Sequence, residues 1–157
     1  MAFMPQNIPP TDVAGLGLNA MDTICVVPRF PGPNTKLQMT EVRVEPGGQV
    51  ATALATCTRL GLTARYIGSV GDDDFGKAQL ASLRAENLDL YVREVAGAAS
   101  QMAVILLEQG VGERTILWRR DPRLRYPPGE LRREMILGAR LLHLDGRRGD
   151  QGRHDLR

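Results

Sequence analysis

The chain has 157 residues, 43% of them apolar, which is enough for one domain with a hydrophobic core. The formal net charge of +2 indicates neither a nucleic-acid partner nor a membrane surface. No apolar run approaches the length of a membrane span, and the N-terminus lacks the basic start and long apolar stretch of a secretory signal. Cys25 and Cys57 form no metal-type cluster and are interpreted as buried thiols, so we expect a cytoplasmic protein.

The chain begins with a proline-rich arm and two short strands. Residues 1–11 hold three prolines and are predicted to form a loose arm. A strand is predicted over residues 12–17, and the β-branched run Thr23–Val27 predicts a second one. Asp22 stands between them. From its position alone it can be a turn residue that bonds its own backbone, or a ligand contact.

Gly15, Gly17 and Ala20 match the spacing of a dinucleotide-binding fingerprint in its Gly/Ala variant. That fingerprint requires a helix directly after the glycine turn. Here the turn leads instead into the strand-forming run Thr23–Val27, which Pro28 ends. A dinucleotide-binding module is therefore the disfavoured alternative.

A glycine turn followed by a helix is the most informative local pattern. Pro46, Gly47 and Gly48 break the preceding run, and residues 49–60, which contain neither proline nor glycine, predict a helix with Gly61 just past its end. Such a turn presents free N–H groups and the positive end of the helix dipole, which suits an anion or an array of hydroxyls. Taken alone, the same pattern is also typical of a purely structural turn.

Three adjacent aspartates, Asp72, Asp73 and Asp74, follow a strand predicted over residues 64–70. They precede a helix predicted over residues 75–86. Three carboxylates in a row can hold a metal ion, but acidic residues at this position also cap the free N–H groups of a helix and match its dipole. We favour capping, and no metal site is predicted.

The second half of the chain is predicted to contain a hairpin and a further strand. The predicted elements are strands over residues 88–95, 101–107, 114–118 and 140–144 and a helix over residues 130–137. Trp118 is interpreted as a core residue in preference to a stacking one, and His143 as a structural histidine. Ligands bind beyond the carboxyl ends of parallel strands, so Asp145 can approach a site.

The order of these motifs resembles that of the PfkB (ribokinase-like) carbohydrate kinases. The first signature of that family joins a Gly-Gly turn, a helix and Leu-Gly to Gly-x-Val-Gly-Asp-Asp-x-Phe-Gly, which matches residues 68–76. The resemblance implies an α/β fold over residues 12–146, a ribokinase-like three-layer sandwich with a Rossmann-like, mainly parallel sheet. It also implies a small β-sheet lid built from residues 23–27, residues 36–44 and the hairpin over residues 101–118.

The resemblance further implies ATP-dependent phosphorylation of a sugar or nucleoside-like hydroxyl, with Mg²⁺ as the metal. The implied substrate contacts are Asp22, Gly47, Gly48, Gln49, Thr52 and Gln101. Ser100 is expected to face the sugar beside Gln101. The family usually has asparagine where this chain has Thr52, so a hydroxyl replaces an amide there. Lid sheets in the family often form dimer contacts, which implies a homodimer that pairs through the lid.

The second signature of the family, Asp-Thr-x-Gly-Ala-Gly-Asp, supplies the catalytic base and anion-stabilising N–H groups, and the sequence contains no such segment. Residues 147–157 show no helical or strand period and are predicted to be a disordered basic tail. Our hypothesis is that the reading frame left its ancestral course near Gly146. We therefore predict no catalytic residue and little phosphoryl transfer by this chain alone. The alternative is a non-catalytic fragment that binds a sugar or forms dimers.

Overall fold

The computed structural model describes residues 8–145, so most of the predicted arm and the whole predicted tail lie outside the described residues. Eight strands and three α-helices lie in this part of the chain. The strands are β1 (Thr11–Leu16), β2 (Ala20–Val27), β3 (Glu41–Gly47), β4 (Ala64–Gly71), β5 (Asp89–Val95), β6 (Met102–Glu108), β7 (Arg114–Arg119) and β8 (Ala139–Leu144). The helices are α1 (Gln49–Arg59), α2 (Asp74–Ala85) and α3 (Glu134–Leu137).

The first sheet is parallel throughout and has the strand order β5-β4-β1-β8. Helices α1 and α2 pack against it, and their apolar faces bury its central strands. The core cluster consists of Val13, Val50, Ala51, Leu54, Ala64, Tyr66, Leu83 and Leu88. A Cβ on Gly15 would lie only 2.6 Å from Val50 Cγ1 and 2.7 Å from Leu54 Cδ1, so a glycine here lets α1 pack closely on β1.

The second sheet is mixed and has the strand order β3-β2-β6-β7. Strands β2 and β6 are parallel, whereas the two outer pairs are antiparallel. These strands cover most of the residues expected to build the lid, so the predicted α/β fold with a second sheet is confirmed, although that sheet has four strands, as many as the first. Two details were wrong: the strand predicted over residues 36–44 begins only at Glu41, and Pro46 and Gly47 belong to β3 and pair with Met21 and Ala20. Proline is tolerated there because β3 is an edge strand, and the turn begins at Gly48.

Of the three aspartates at the start of α2, Asp73 caps the helix, as predicted. The Asp73 carboxylate accepts hydrogen bonds from the N–H groups of Gly76 at 2.8 Å and Ser100 at 2.9 Å. Asp72 accepts from the Gly97 N–H at 3.0 Å. Burial alone would raise the pKa of Asp73, but the hydrogen bonds from Ser100 and Gly76 lower it below its usual value. Both side chains therefore hold the turn that enters α2.

Only the second half of the helix predicted over residues 130–137 was confirmed. A 3₁₀ turn covers Pro128–Glu130, Leu131 is extended with a ψ of 101°, and α3 begins only at Glu134. The segment is too short to sustain a helix once Leu131 interrupts it. In contrast, Gly61 after α1 has a φ of +88°, the left-handed torsion expected of a residue that ends a helix.

Candidate functional site

A cleft of about 1080 Å³ opens between the start of α1, the carboxyl ends of the parallel strands and one face of the mixed sheet. It brings together all six residues that the sequence assigned to substrate contact. These are Asp22, Gly47, Gly48, Gln49, Thr52 and Gln101. They come from β2, β3, the turn before α1, the first turn of α1 and the residue before β6.

The glycine turn brings the backbone of two chain segments into close contact beneath the cleft. Gly48 has a φ of +98°, and a Cβ there would lie 2.6 Å from both the Asn19 Cα and the Leu18 carbonyl oxygen. Only glycine fits this conformation and this space. Helix α1 begins at the next residue without a side-chain cap, so the N–H groups of Gln49 and Val50 have no partner within the helix. The turn therefore presents polar N–H groups at the edge of the cleft.

Asp22 is the most distinctive polar group of the cleft. In the part of the chain that the structure describes, no protein group donates a hydrogen bond to its carboxylate. The carboxylate packs against Gly47, where any Cβ would overlap the Asp22 Oδ2 atom. Burial, with a smaller contribution from the nearby Glu45 carboxylate, raises the pKa of Asp22 above its usual value. A half-buried carboxylate without protein donors is well suited to accept hydrogen bonds from a ligand.

Gln101 and Ser100, which were expected to face the sugar together, lie in different places. Gln101 lines the cleft, and its backbone carbonyl accepts hydrogen bonds from Gln79 Nε2 at 2.7 Å and from the Met21 N–H at 3.3 Å. Ser100 is buried, and its hydroxyl oxygen accepts from the Gly71 N–H at 2.9 Å. The expectation for Ser100 was wrong because its side chain holds the turn after β4.

Asp145 lines the cleft although it was not among the assigned contacts. Its Oδ2 atom accepts a hydrogen bond from the Leu18 N–H at 2.6 Å, and a Cβ on Gly17 would overlap its carboxylate. The carboxylate thus closes the turn after β1. Burial raises the pKa of the neighbouring Tyr66 phenol, and the charge of Asp145 adds to this effect. The position of Asp145 after a predicted strand was the signal that pointed to it.

Trp118 also lines the cleft, and its interpretation as a core residue was wrong. Its side chain is 57% exposed, and it lies on the cleft face of β7 together with Ile116 and Arg114. Residues two apart along a strand share one face of the sheet. The alternation of these three residues in the sequence was therefore the signal available. His143, interpreted as a structural histidine, lies on the edge strand β8 and is exposed at the rim of the cleft.

The described residues fit neither a magnesium ion nor a triphosphate. No group of three or more His, Cys, Asp or Glu side chains in residues 8–145 is placed to hold a metal ion. Arg114 is the only lysine or arginine among the described residues of the cleft, whereas Asp22 and Asp145 add negative charge to it. These carboxylates would repel a triphosphate. Within the same residues, no helix is long and apolar enough to cross a membrane.

A parallel α/β sheet, a glycine-opened helix and a second sheet over one cleft together define an α/β domain with a lid. The chain belongs to the pfkB carbohydrate kinase family, whose match covers residues 10–147. The family resemblance expected from the glycine turn and from residues 68–76 is thereby confirmed.

Relatives with this fold are considerably longer. Probable fructokinase-3 of Arabidopsis thaliana is 34% identical over 101 residues, which cover 62% of this chain and 29% of that protein. The ribokinase of Bacillus subtilis is 29% identical over 100 residues, which cover 63% of this chain and 34% of that protein. The chain therefore spans about a third of the length of the curated relatives it matches.

Two solved structures show the same fold at lower identity. Adenosine kinase from Sinorhizobium meliloti superposes with a TM-score of 0.71 at 16% identity, covering 86% of this chain and 47% of that one. The ribokinase of Arabidopsis thaliana, solved in complex with ribose and ATP, superposes with a TM-score of 0.61 at 23% identity. The latter alignment covers 71% of this chain and 36% of that one.

Proposed function

We propose that this part of the chain binds the sugar substrate of an ATP-dependent carbohydrate kinase and presents one hydroxyl for phosphorylation. The observation that carries the proposal is the cleft itself, in which the Asp22 carboxylate, Gly47 at the end of β3 and the turn at Gly48 face one space. The fructokinase and ribokinase relatives, and the ribose and ATP bound to the Arabidopsis ribokinase, support the same substrate class.

The cleft is suited to a neutral polyol. Asp22 accepts hydrogen bonds from sugar hydroxyls, while the N–H groups at the start of α1 donate to sugar oxygens. Thr52, one turn into α1, offers a hydroxyl that can do either, and Gln101 offers an amide from the lid. An anionic substrate is disfavoured because the Asp22 and Asp145 carboxylates both border the cleft.

We propose in addition that these 157 residues do not transfer phosphate unaided. The sequence contains no Asp-Thr-x-Gly-Ala-Gly-Asp segment, and the described residues fit neither Mg²⁺ nor a triphosphate. Phosphoryl transfer depends on positioned cations and N–H groups that stabilise the developing charge. ATP and its metal ion would therefore have to be held by groups outside these residues.

A non-catalytic, dimer-forming role is the second candidate. The face of the mixed sheet opposite the cleft exposes apolar side chains, with Val42 52%, Val44 54% and Leu117 58% exposed. An exposed apolar sheet face favours association with another protein surface. Sedimentation velocity over a range of protein concentrations tests this role. A chain that stays monomeric at high concentration would contradict it without affecting the proposal for the cleft.

The test of sugar binding is calorimetric titration with fructose and with ribose, using Asp22→Asn as the variant. We expect the substitution to weaken binding about tenfold or more, since hydrogen bonds to a charged group are the strong ones. Asp74→Asn is the matched control. It makes the same chemical change at a carboxylate that pairs with Lys77 on α2, away from the cleft. Sugar binding that is insensitive to Asp22→Asn would contradict the proposal.

An ADP-release assay with ATP, Mg²⁺ and the same sugars tests the second statement. We expect no steady turnover from this polypeptide, and equal background rates for the wild type and Asp22→Asn. Steady, sugar-dependent ADP release that Asp22→Asn abolishes would show that the 157 residues are sufficient for catalysis.

A further inference from the structure

Residues 96–101, here called the linking segment, lead the chain from the parallel sheet into the mixed sheet. Strand β5 of the first sheet ends at Val95, and β6 of the second begins at Met102. The last residue of the segment, Gln101, lines the cleft, where our proposal gives its amide a contact with the sugar. The contacts that hold this segment therefore determine where the Gln101 side chain lies relative to Asp22.

The family motif at residues 68–76 contacts the linking segment, and none of its residues, all of which the structure describes, lines the cleft. One oxygen of the Asp73 carboxylate accepts from the Ser100 N–H at 2.9 Å, while the other caps α2. The Ser100 hydroxyl accepts from the Gly71 N–H at 2.9 Å. A Cβ on Gly71 would overlap the carbonyl oxygen of Ala98, so glycine lets the end of β4 lie against the segment. The motif thus attaches the segment to the start of α2.

Gln79 of α2 holds the last residue of the segment. Its side chain is fully buried, and its Nε2 atom donates to the Gln101 carbonyl oxygen at 2.7 Å. That oxygen also accepts from the Met21 N–H of β2 at 3.3 Å, so it keeps a partner even without Gln79. The Oε1 atom of Gln79, in contrast, is buried with no hydrogen-bond partner among the described residues.

Stability alone does not account for a glutamine at this position. A buried acceptor without a partner destabilises the folded state by at least as much as one neutral hydrogen bond stabilises it. Methionine has a similar length and volume and would fill the same space without a polar atom that needs a partner. What glutamine adds over methionine is one directed hydrogen bond to the backbone of Gln101.

We infer that Gln79 and Asp73 are positioning residues for sugar binding. Through the linking segment they fix the backbone of Gln101, and thereby the place of its side chain in the cleft. The inference rests on the proposed sugar-binding role of the cleft and assigns a part in it to residues outside the cleft. Both residues act through Gln101 and neither contacts the sugar.

The first test compares ribose affinity with stability in Gln79→Met. Calorimetric titration is expected to show ribose binding weakened about two- to tenfold, the range that one neutral hydrogen bond provides. The midpoint of urea denaturation is expected to equal or exceed that of the wild type, because the substitution removes the buried Oε1 atom. A fall in affinity and stability together would overturn the inference, since Gln79 would then be a general structural residue.

Leu80→Met is the matched control for this substitution. Leu80 is buried next to Gln79 on the same helix, and the change to methionine conserves its volume. It is expected to leave ribose affinity unchanged. A loss of affinity equal to that of Gln79→Met would overturn the inference, because any change in the packing of α2 would then have the same effect.

A double-mutant cycle tests whether Gln79 acts through Gln101. Gln101→Ala is expected to weaken ribose binding by itself, because it removes the proposed amide contact. In that background Gln79→Met is expected to have no further effect on ribose affinity. Additive losses would overturn the inference, since Gln79 would then act through a different residue.

Asp73→Asn tests the second positioning residue. Asparagine keeps one acceptor oxygen, which suffices to cap α2, and loses the acceptor for the Ser100 N–H. Ribose affinity is expected to fall as it does in Gln79→Met. Asp74→Asn makes the same chemical change at the exposed neighbour and is expected to leave ribose affinity unchanged. Equal ribose affinities of the two variants would overturn the role of Asp73.

The outcomes distinguish the inference from the proposed function. Ribose binding that depends on Asp22 but is not weakened by Gln79→Met would overturn the inference and leave the sugar-binding role intact. If ribose does not bind the wild type, or if Asp22→Asn does not weaken its binding, the proposed function fails and the inference fails with it.

Discussion

Strands β4 and β7 have opposite surroundings. Seven of the eight residues of β4 are buried, whereas all six residues of β7 are exposed. β4 is a central strand of the parallel sheet and is covered by α1 and α2, while β7 is an edge strand of the mixed sheet. The parallel sheet thus supplies the packed framework, whereas the mixed sheet leaves the whole of β7 exposed. Stability and binding should therefore respond to changes in different sheets.

The largest expected effect comes from one substitution made in each region. Leu54, which is fully buried on α1, and Leu117, which is 58% exposed on β7, are both changed to alanine. Leu54→Ala should lower the free energy of unfolding by about 3 kcal/mol, since it removes packed atoms and leaves a cavity. Leu117→Ala should change it by no more than about 0.5 kcal/mol. Urea denaturation followed by circular dichroism measures both, and equal losses would refute the contrast between the two sheets.

The next effect concerns the turn that joins the two regions. Gly48→Ala combines a positive φ with backbone atoms 2.6 Å from the new Cβ, and should cost about 2 kcal/mol. Gly61→Ala is the matched control, because Gly61 also has a positive φ but no atom within 4 Å of a Cβ. It should cost only about 1 kcal/mol. Gly48→Ala, unlike Gly61→Ala, should also abolish sugar binding. A Gly48→Ala protein that binds sugar normally would show that the turn is not part of the binding site.

The smallest effect on stability is expected at Asp22, whose carboxylate favours sugar binding in our proposal but destabilises the folded protein. Because its pKa is raised in the folded protein, the folded state binds the proton more tightly than the unfolded chain does. The resulting loss of folding stability is absent below the pKa of the unfolded chain, near 3.8, and is complete above the raised pKa of the folded protein. Asp22→Asn should therefore be more stable than the wild type at neutral pH, by about 0.5 kcal/mol, a size usual for a partly exposed group.

Thermal unfolding from pH 3 to pH 7 measures this difference, which should shrink as the pH falls toward 3.8. Sugar affinity of the wild type should fall over the same acid range, because protonation removes the negative charge that strengthens the hydrogen bonds from the sugar hydroxyls. An Asp22→Asn protein that is less stable than the wild type at neutral pH would show that the carboxylate has a structural partner.

Most of the framework could be predicted because it depends on local patterns. The helix of α1 and its end at Gly61 follow from spacing, and the capping role of Asp73 follows from its place before a helix. Residues 130–137 could not be predicted in the same way. Their composition permits a helix, but the extended torsions of Leu131 and the contacts of α3 with β8 are set by the surrounding chain.

The sequence by itself determined the family, because the glycine turn and residues 68–76 are contiguous motifs, and that resemblance in turn implied the second sheet and the six residues that line the cleft. The tertiary structure alone decided that Trp118 is exposed in a row with Asp22 and that Asp145 closes the turn after β1. These relations join strands far apart in the chain. They depend on strand order and register, which no local pattern specifies.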